Sequence, residues 1–395
     1  MIPSLRKKFN AEFTQAAYEA LVRDVNTATY FPADFRISET PLFLSAQVTE
    51  ELVQASNEIV ASLQTEKFRQ HSTDAIPAGL EVPGEDGHTT FLQLDFALCG
   101  DGEGNIVPRL IELQGFPTVY CFQHLLDVQI RNHYSIPGNL TPYFNDLNSQ
   151  SYVRLLRDVI AGEASPENTV LLEIEPEKQK TRIDFACTED LLGVRPVCIT
   201  KIIKRQRRLY YRRDGKEIPI ERIYNRVIFD ELQKKDLRYE FRFTDDLDVK
   251  WIGHPNWYFK ISKHTLPFVT SPYAPPCTFL DNFDAHSEDL AGYVLKPLYS
   301  FAGAGVRLDV TRELLDSIHD KRNYILQKKV DYAPLIETPD GWSKAEIRMM
   351  FIWQDRPLLV NSLVRMSKGS MMGVAFNKDK TWVGSSVGYH LEKPD

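Results

Sequence analysis

Asp95 lies in the apolar segment FLQLDFAL, and Glu112 and Gln114 close a second one, IVPRLIELQ; the two are joined by Cys99-Gly-Asp-Gly-Glu-Gly-Asn105. Apolar runs of this length around a glycine-rich connection predict a β-hairpin. Residues two apart in a strand share a face, so Glu112 and Gln114 point the same way, and the hairpin can fold Asp95 beside them. Three converging hard oxygen ligands suit Mg²⁺, which takes one or two carboxylates and completes its shell with waters and phosphates. The plain alternative is a set of exposed strand residues. Leu94, Phe96, Leu110, Ile111 and Leu113 surround them, and polar groups in such company are edge residues or are placed for a purpose.

A second constellation is YVLKPLYSFAGAGVRLDV (293–310): an apolar strand ending in Lys296, a small-residue loop with Ser300, Gly303, Ala304 and Gly305, and a second strand returning. Glycines allow backbone N–H groups to close on phosphate oxygens while a lysine supplies a compact positive charge. The segment is not a P-loop, because no GK[ST] follows the glycines, and it is not G-x-G-x-x-G, because Leu308 holds the last position. Alone it is a weak signal, and a plain turn beside a solvated lysine is the commoner outcome. A third group comprises Lys263 in NWYFKISKHTLPF, Gln327 and Lys328 in YILQKKV, Glu346 and Arg348 in KAEIRMMFIW, and Arg365 in LVRMSKGS. Glu346 and Arg348 share a strand face, and arginines offer forked donors suited to phosphate or carboxylate, which makes Arg348 and Arg365 the candidate catalytic residues.

These residues must be positioned by elements of several kinds. Phe13, Ala17, Leu21 and Val25 recur every fourth residue and predict a helix from Asn10 to about Val25; Leu52, Ala55, Ile59 and Leu63 predict another, giving an N-terminal helical layer over 1–86. The metal-bearing hairpin belongs to 87–150. Residues 165–200 read as strand, helix and strand, a βαβ unit inside an α/β segment spanning 151–250. Within it, the run 201–213 carries seven positive charges and turns at Asp214-Gly215, predicting a hairpin. A nucleic-acid interface competes there with a solvated charged face, and the solvated face is the commoner outcome. Residues 251–395 carry the lysines, the glycine loop and the remaining strands.

Composition excludes other classes. With 395 residues the chain exceeds what one core supports, and 43% hydrophobic and 26% charged residues are ordinary globular values. No apolar run approaches the length of a membrane span, and the start MIPSLRKKFNAEF lacks an apolar signal core, so a cytoplasmic protein without a membrane partner is expected. A net charge of −7 disfavours nonspecific nucleic-acid binding. Cys99, Cys121, Cys187, Cys198 and Cys277 lack CxxC spacing and predict reduced core thiols. Gly384-Ser385-Ser386-Val387-Gly388 fits the serine-hydrolase elbow G-x-S-x-G, but no helix, acid and histidine can follow it in order.

Taken in their order, these segments resemble the circularly permuted ATP-grasp enzymes, the group that includes the synthetase domain of glutathionylspermidine synthase. The likeness covers roughly residues 87–390. In ordinary ATP-grasp chains the lysines and glycine lid precede the metal strands; here Asp95, Glu112 and Gln114 come first. LDFALCGDGEGNIVPRLIELQGFP looks like the family's Asp-bearing strand, hairpin and E-x-N motif, with Gln114 in place of asparagine, a ligand longer by one methylene. The resemblance implies an α/β protein of α+β texture with a permuted ATP-grasp fold, an α/β domain of the preceding type inserted mid-chain, and N-terminal helices. It further implies ATP and Mg²⁺ as cofactors, with Lys263 and Lys296 on nucleotide phosphates and the loop Ser300–Val306 over them. Gln327 and Lys328 would belong to the linker that receives adenine, and Arg365 would lie on the phosphate side. The implied reaction joins a small-molecule carboxylate to an amine through an acyl phosphate. A nucleotide- or nucleic-acid-binding protein that keeps the fold without catalysis is the alternative.

Overall fold

A computed structural model describes residues 1–284, 289–299, 303–373 and 376–392. The predicted hairpin forms as Phe91–Gly100 and Ile106–Gln114, and it lies at one side of a large mixed sheet. From the other edge the sheet runs Leu42–Phe43, Gly384–Leu391, Pro357–Ser367, Gly341–Trp353, Phe91–Gly100 and Ile106–Gln114. All of these neighbours are antiparallel except Leu42–Phe43, which pairs in parallel with Gly384–Leu391. Phe91–Gly100 is buried on both faces except at its last residue. Its Leu92, Leu94, Phe96 and Leu98 share a core with Leu52, Ala55, Ile59 and Leu63, which line one face of the helix Ala46–Leu63. That helix starts where Ser45 accepts a hydrogen bond from the Val48 N–H, a standard N-cap.

The first helix departs from expectation. The helix expected from Asn10 to about Val25 is broken: Ala17, Leu21 and Val25 lie in Gln15–Thr27, Phe13 sits between the helices, and Asn10 belongs to Pro3–Glu12. Thr14 separates them: its extended backbone and side-chain hydroxyl, accepting from the Ala17 N–H, cap the second helix. Phe13 at the break packs on Trp382, ring centroids 4.5 Å apart. The connection after these helices enters the large sheet as Leu42–Phe43, so both ends of the chain meet in one sheet.

The mid-chain α/β segment is a four-stranded parallel sheet, ordered Lys250–Ile252, Arg222–Asn225, Thr169–Glu173, Arg195–Cys198. The expected βαβ unit is Thr169–Glu173, the helix Arg182–Leu192 and Arg195–Cys198; Gly193, at φ 75°, ends the helix in the left-handed region that glycine tolerates. The basic run forms a three-stranded meander, Ile203–Arg205, Arg208–Arg213 and Lys216–Ile220. A third, antiparallel sheet is ordered Cys277–Phe279, Tyr324–Lys328, Tyr293–Pro297. The strand expected to return after the glycine loop is reduced to one isolated bridge, Leu295 with Arg307, followed by bends. Gly384–Leu391 is a strand, and buried Ser386 donates its hydroxyl to the Thr40 carbonyl, so the G-x-S-x-G match is no nucleophile elbow. No helix among the described residues is long and apolar enough to cross a membrane.

Candidate functional site

Cross-strand register builds a row of charge across the large sheet. Asp95 lies opposite Glu112 on one side and Arg348 on the other, and Glu346 lies opposite Arg365. Two residues away, Gln93 pairs with Gln114 on the same face. The ladder skips Ile111 between the pairs Asp95–Glu112 and Phe96–Leu110, a bulge that releases backbone groups from the sheet. Those groups are taken up from the third sheet. Lys296 donates its Nζ to the Ile111 carbonyl at 2.8 Å and to Gln327 Oε1 at 2.6 Å, and Gln327 Nε2 donates to the Leu110 carbonyl at 3.1 Å. The bulge thus fastens the lysine-bearing sheet to the carboxylate-bearing one.

Arg348 embraces Asp95 in a fork, Nε to Oδ1 at 2.6 Å and a terminal nitrogen to Oδ2 at 2.7 Å. Its other terminal nitrogen reaches Gln93 Oε1 and Thr118 Oγ1, each at 3.2 Å. Arg365 donates to Asp95 Oδ2 at 2.6 Å and also to Glu346 Oε1, while Glu346 Oε2 accepts from the Tyr332 hydroxyl at 2.8 Å. Burial pushes the Asp95 carboxyl upward, but the two guanidinium charges outweigh it and hold the pKa below the usual range. Glu346 goes the other way: burial raises it beyond what Arg365 restores. Arg365 resists burial because Glu346 and Asp95 stabilise its charge, and its pKa stays raised.

Next to this tetrad Lys263 faces Glu112, Nζ to Oε1 at 3.4 Å. Glu112, Gln114, Phe116, Tyr258, Lys263 and Tyr299 line an open cleft. Lys296 is buried, and burial lowers its pKa, with the Glu112 charge opposing. Its two hydrogen bonds named above go to neutral oxygens. Among the described residues of the row, Lys263, Lys296, Arg348 and Arg365 thus stand against Asp95, Glu112 and Glu346, one cation in excess. Such a face favours an incoming anion.

Of the residues singled out in the sequence, Asp95, Glu112, Gln114, Lys263, Lys296, Gln327, Arg348 and Arg365 come together here. Lys328 does not join them: strand alternation turns it to the other face, where its Nζ lies 4.5 Å from the centre of the Tyr293 ring. Gly303, Ala304 and Gly305 form an exposed turn, with both glycines in the left-handed region, and Ser300 lies outside the described residues. Sequence reasoning passed over Gln93, Thr118 and Tyr332. Gln93 had a readable signal, since it sits two residues from Asp95 in the same strand; Tyr332 had none.

As a magnesium set the trio Asp95, Glu112 and Gln114 fits poorly. Both Asp95 oxygens are held by arginines and Glu112 pairs with Lys263, whereas Gln114 turns its amide nitrogen, not its ligand oxygen, to Gln93 Oε1. Among the described residues no group of three or more His, Cys, Asp or Glu side chains is placed to hold a metal ion. Breaking three charge-assisted bonds to Asp95, at about 1.5–3 kcal/mol each, would oppose a cation that itself sheds water reluctantly.

Two other charged regions are accounted for within the chain. In the basic meander Arg205 pairs with Glu217 at 2.8 Å, while Arg207 and Lys204 reach acids later in the chain, Asp248 at 2.8 Å and Asp245 at 2.6 Å. At the ends of the parallel strands, buried Arg226 pairs with buried Asp184 at 2.7 Å, and Asp184 also accepts the Val119, Cys121 and Phe122 N–H groups at the start of the helix Tyr120–His133. Neighbouring Glu173 is buried and its carboxyl is pushed up to about 8, chiefly by desolvation.

No family model matches the chain, and no curated protein matches it by sequence. Among solved structures it is similar to a glutathione synthetase-like effector, GSS30, from Globodera pallida, determined in its apo form. The superposition has a TM-score of 0.57 at 10% identity and covers 100% of this chain and 98% of the effector. The chain therefore shares a glutathione synthetase-like α/β fold over its whole length.

Proposed function

We propose that the chain binds ATP against Lys263 and Lys296 and uses it to activate a small-molecule carboxylate for capture by an amine. The observation that carries this reading is the buried Lys296. Its ammonium donates to two neutral acceptors at the seam of two sheets, in a face whose described residues carry one cation in excess. A phosphate would supply the missing negative charge. The glutathione synthetase-like fold and the segment order of the permuted ATP-grasp enzymes both agree with that use.

In this reading the substrate carboxylate attacks the γ-phosphorus, the bond to the bridging oxygen breaks, and ADP leaves with the electron pair. The acyl phosphate is then attacked by the amine, an amide forms, and phosphate departs. Lys263 and Lys296 offset charge on the phosphate oxygens, and Arg365, whose side chain is 37% exposed, faces the transferred group. The residues that stand in for a metal set do not fit Mg²⁺, so no step is assigned to one. A second reading, nucleotide binding without turnover, is favoured by one observation: Asp95 and Glu346 already occupy the arginines.

A screen of carboxylate and amine pairs for ADP release separates the two readings. With the right carboxylate and no amine, hydroxylamine should trap a hydroxamate in an ATP-dependent manner. AMP and pyrophosphate as products would refute acyl-phosphate chemistry, and ATP binding without release of ADP for any pair would favour the second reading.

A further inference from the structure

Arg348 and Arg365 are costly side chains to bury, and the sheet spends two carboxylates on them. Asp95 is 2% exposed and Glu346 4% exposed, and each oxygen of both accepts a hydrogen bond: Arg348 and Arg365 share Asp95, while Arg365 and Tyr332 share Glu346. The four charges sum to zero, and the planar fork on Asp95 fixes the Arg348 guanidinium in orientation. Arg365 differs from Arg348 in being partly open to solvent, and among the described residues its buried Nε has no hydrogen-bond partner. A guanidinium held by two acids, with donor capacity left over, is prepared for a further acceptor.

We propose that Asp95 and Glu346 are built-in counter-ions that hold Arg348 and Arg365 ready for a polyphosphate, and that Asp95 ligates no divalent cation. This rests on the nucleotide reading above only for the identity of the polyphosphate. The two roles for Asp95 predict opposite signs. A metal ligand strengthens cation-dependent phosphate binding, so its loss weakens that binding. A counter-ion competes with the incoming anion, so its neutralisation releases guanidinium charge and strengthens binding without any cation. A residue that serves packing alone would lower affinity when changed, because the arginines would lose their orientation.

The experiment titrates inorganic triphosphate, and separately ATP, into the full-length protein in EDTA, comparing wild type with Asp95→Asn and Glu346→Gln. Both variants should bind triphosphate more tightly, by roughly ten-fold for one unit charge removed nearby; weaker binding in both would overturn the proposal. In parallel, Arg Nε–H resonances of the ¹⁵N-arginine-labelled wild type are followed as MgCl₂ is added, with Arg348 assigned through Arg348→Lys. They should stay in place, whereas a shift or loss at Arg348 would show that the cation takes Asp95 and would end the proposal. The wild-type measurement decides even if Asp95→Asn does not fold. Should triphosphate bind while ATP binds no better, the counter-ion role stands and the nucleotide reading fails.

Discussion

Lys296→Met separates the charge of this lysine from its volume, because methionine fills nearly the same space without an ammonium. On the stability side the change removes hydrogen bonds to the Ile111 carbonyl and to Gln327 Oε1, and it also removes a buried cation that desolvation already disfavours. Bonds to a charged donor contribute about 1.5–3 kcal/mol each, so with the desolvation relief the net loss should be of order 1–3 kcal/mol. On the binding side, a unit charge about 4 Å from a phosphate contributes roughly 4 kcal/mol at an effective dielectric of 20. Even half of that is a weakening of tens-fold, since about 1.4 kcal/mol is a factor of ten. Gln327→Leu is the control: it also removes the Lys296–Gln327 hydrogen bond, together with the Gln327 bond to the Leu110 carbonyl, but leaves the charge. Calorimetric titration of ATP, with urea unfolding of each variant, should show both variants modestly destabilised and only Lys296→Met deprived of nucleotide affinity. Affinity in Lys296→Met within a few-fold of wild type, in a folded protein, would refute the assignment of phosphate to this lysine.

Glu173 gives a pH dependence of stability. Its folded pKa, about 8, lies above the ordinary 4.5, so between these values the folded protein retains a proton that the unfolded chain has released. Stability should therefore fall as pH rises through that window, by up to about 1.4 kcal/mol per pH unit from this group, and Glu173→Gln should flatten the slope; an unchanged slope in urea midpoints at pH 6 and pH 8.5 would contradict it. Asp184→Asn strips the buried Arg226 of its partner and weakens the acceptor at a helix start, at a cost of about 3–5 kcal/mol. A loss under about 1 kcal/mol by denaturant unfolding would mean that the pair is solvated after all.

Local patterns made much of the fold legible. The glycine-rich connection at 99–105 marked the first hairpin, and the alternation around Asp214-Gly215 marked the hairpin Arg208–Arg213 with Lys216–Ile220 but not its third strand, Ile203–Arg205, because turn chemistry and period-two patterning act over a few residues. The break at Thr14 was missed, because Phe13 just before it keeps the four-residue spacing of Ala17, Leu21 and Val25 and so hides a threonine N-cap inside the apolar repeat. The missing strand after Gly305 has a different cause. Its alternating residues suit a strand, but among the described residues only Leu295 offers them a backbone partner, and one bridge does not make a ladder.

The site was legible as a set of residue types and illegible as a set of partners. Spacing placed Glu112 with Gln114 and Glu346 with Arg348, and the hairpin brought in Asp95. What it could not contain is the register between Phe91–Gly100 and Gly341–Trp353, which sets Arg348 opposite Asp95 across 253 residues of chain. A slip of one residue there would turn Arg348 to the apolar face and leave Asp95 buried without its fork. The apolar neighbours Ile347 and Met349, both fully buried, forbid that slip, because it would turn them to the charged face and carry Arg348 in among the apolar side chains. The hydrophobic alternation of that strand thus decides the pairing of Asp95, and with it whether the carboxylate is offered to a cation or committed to two guanidinium groups.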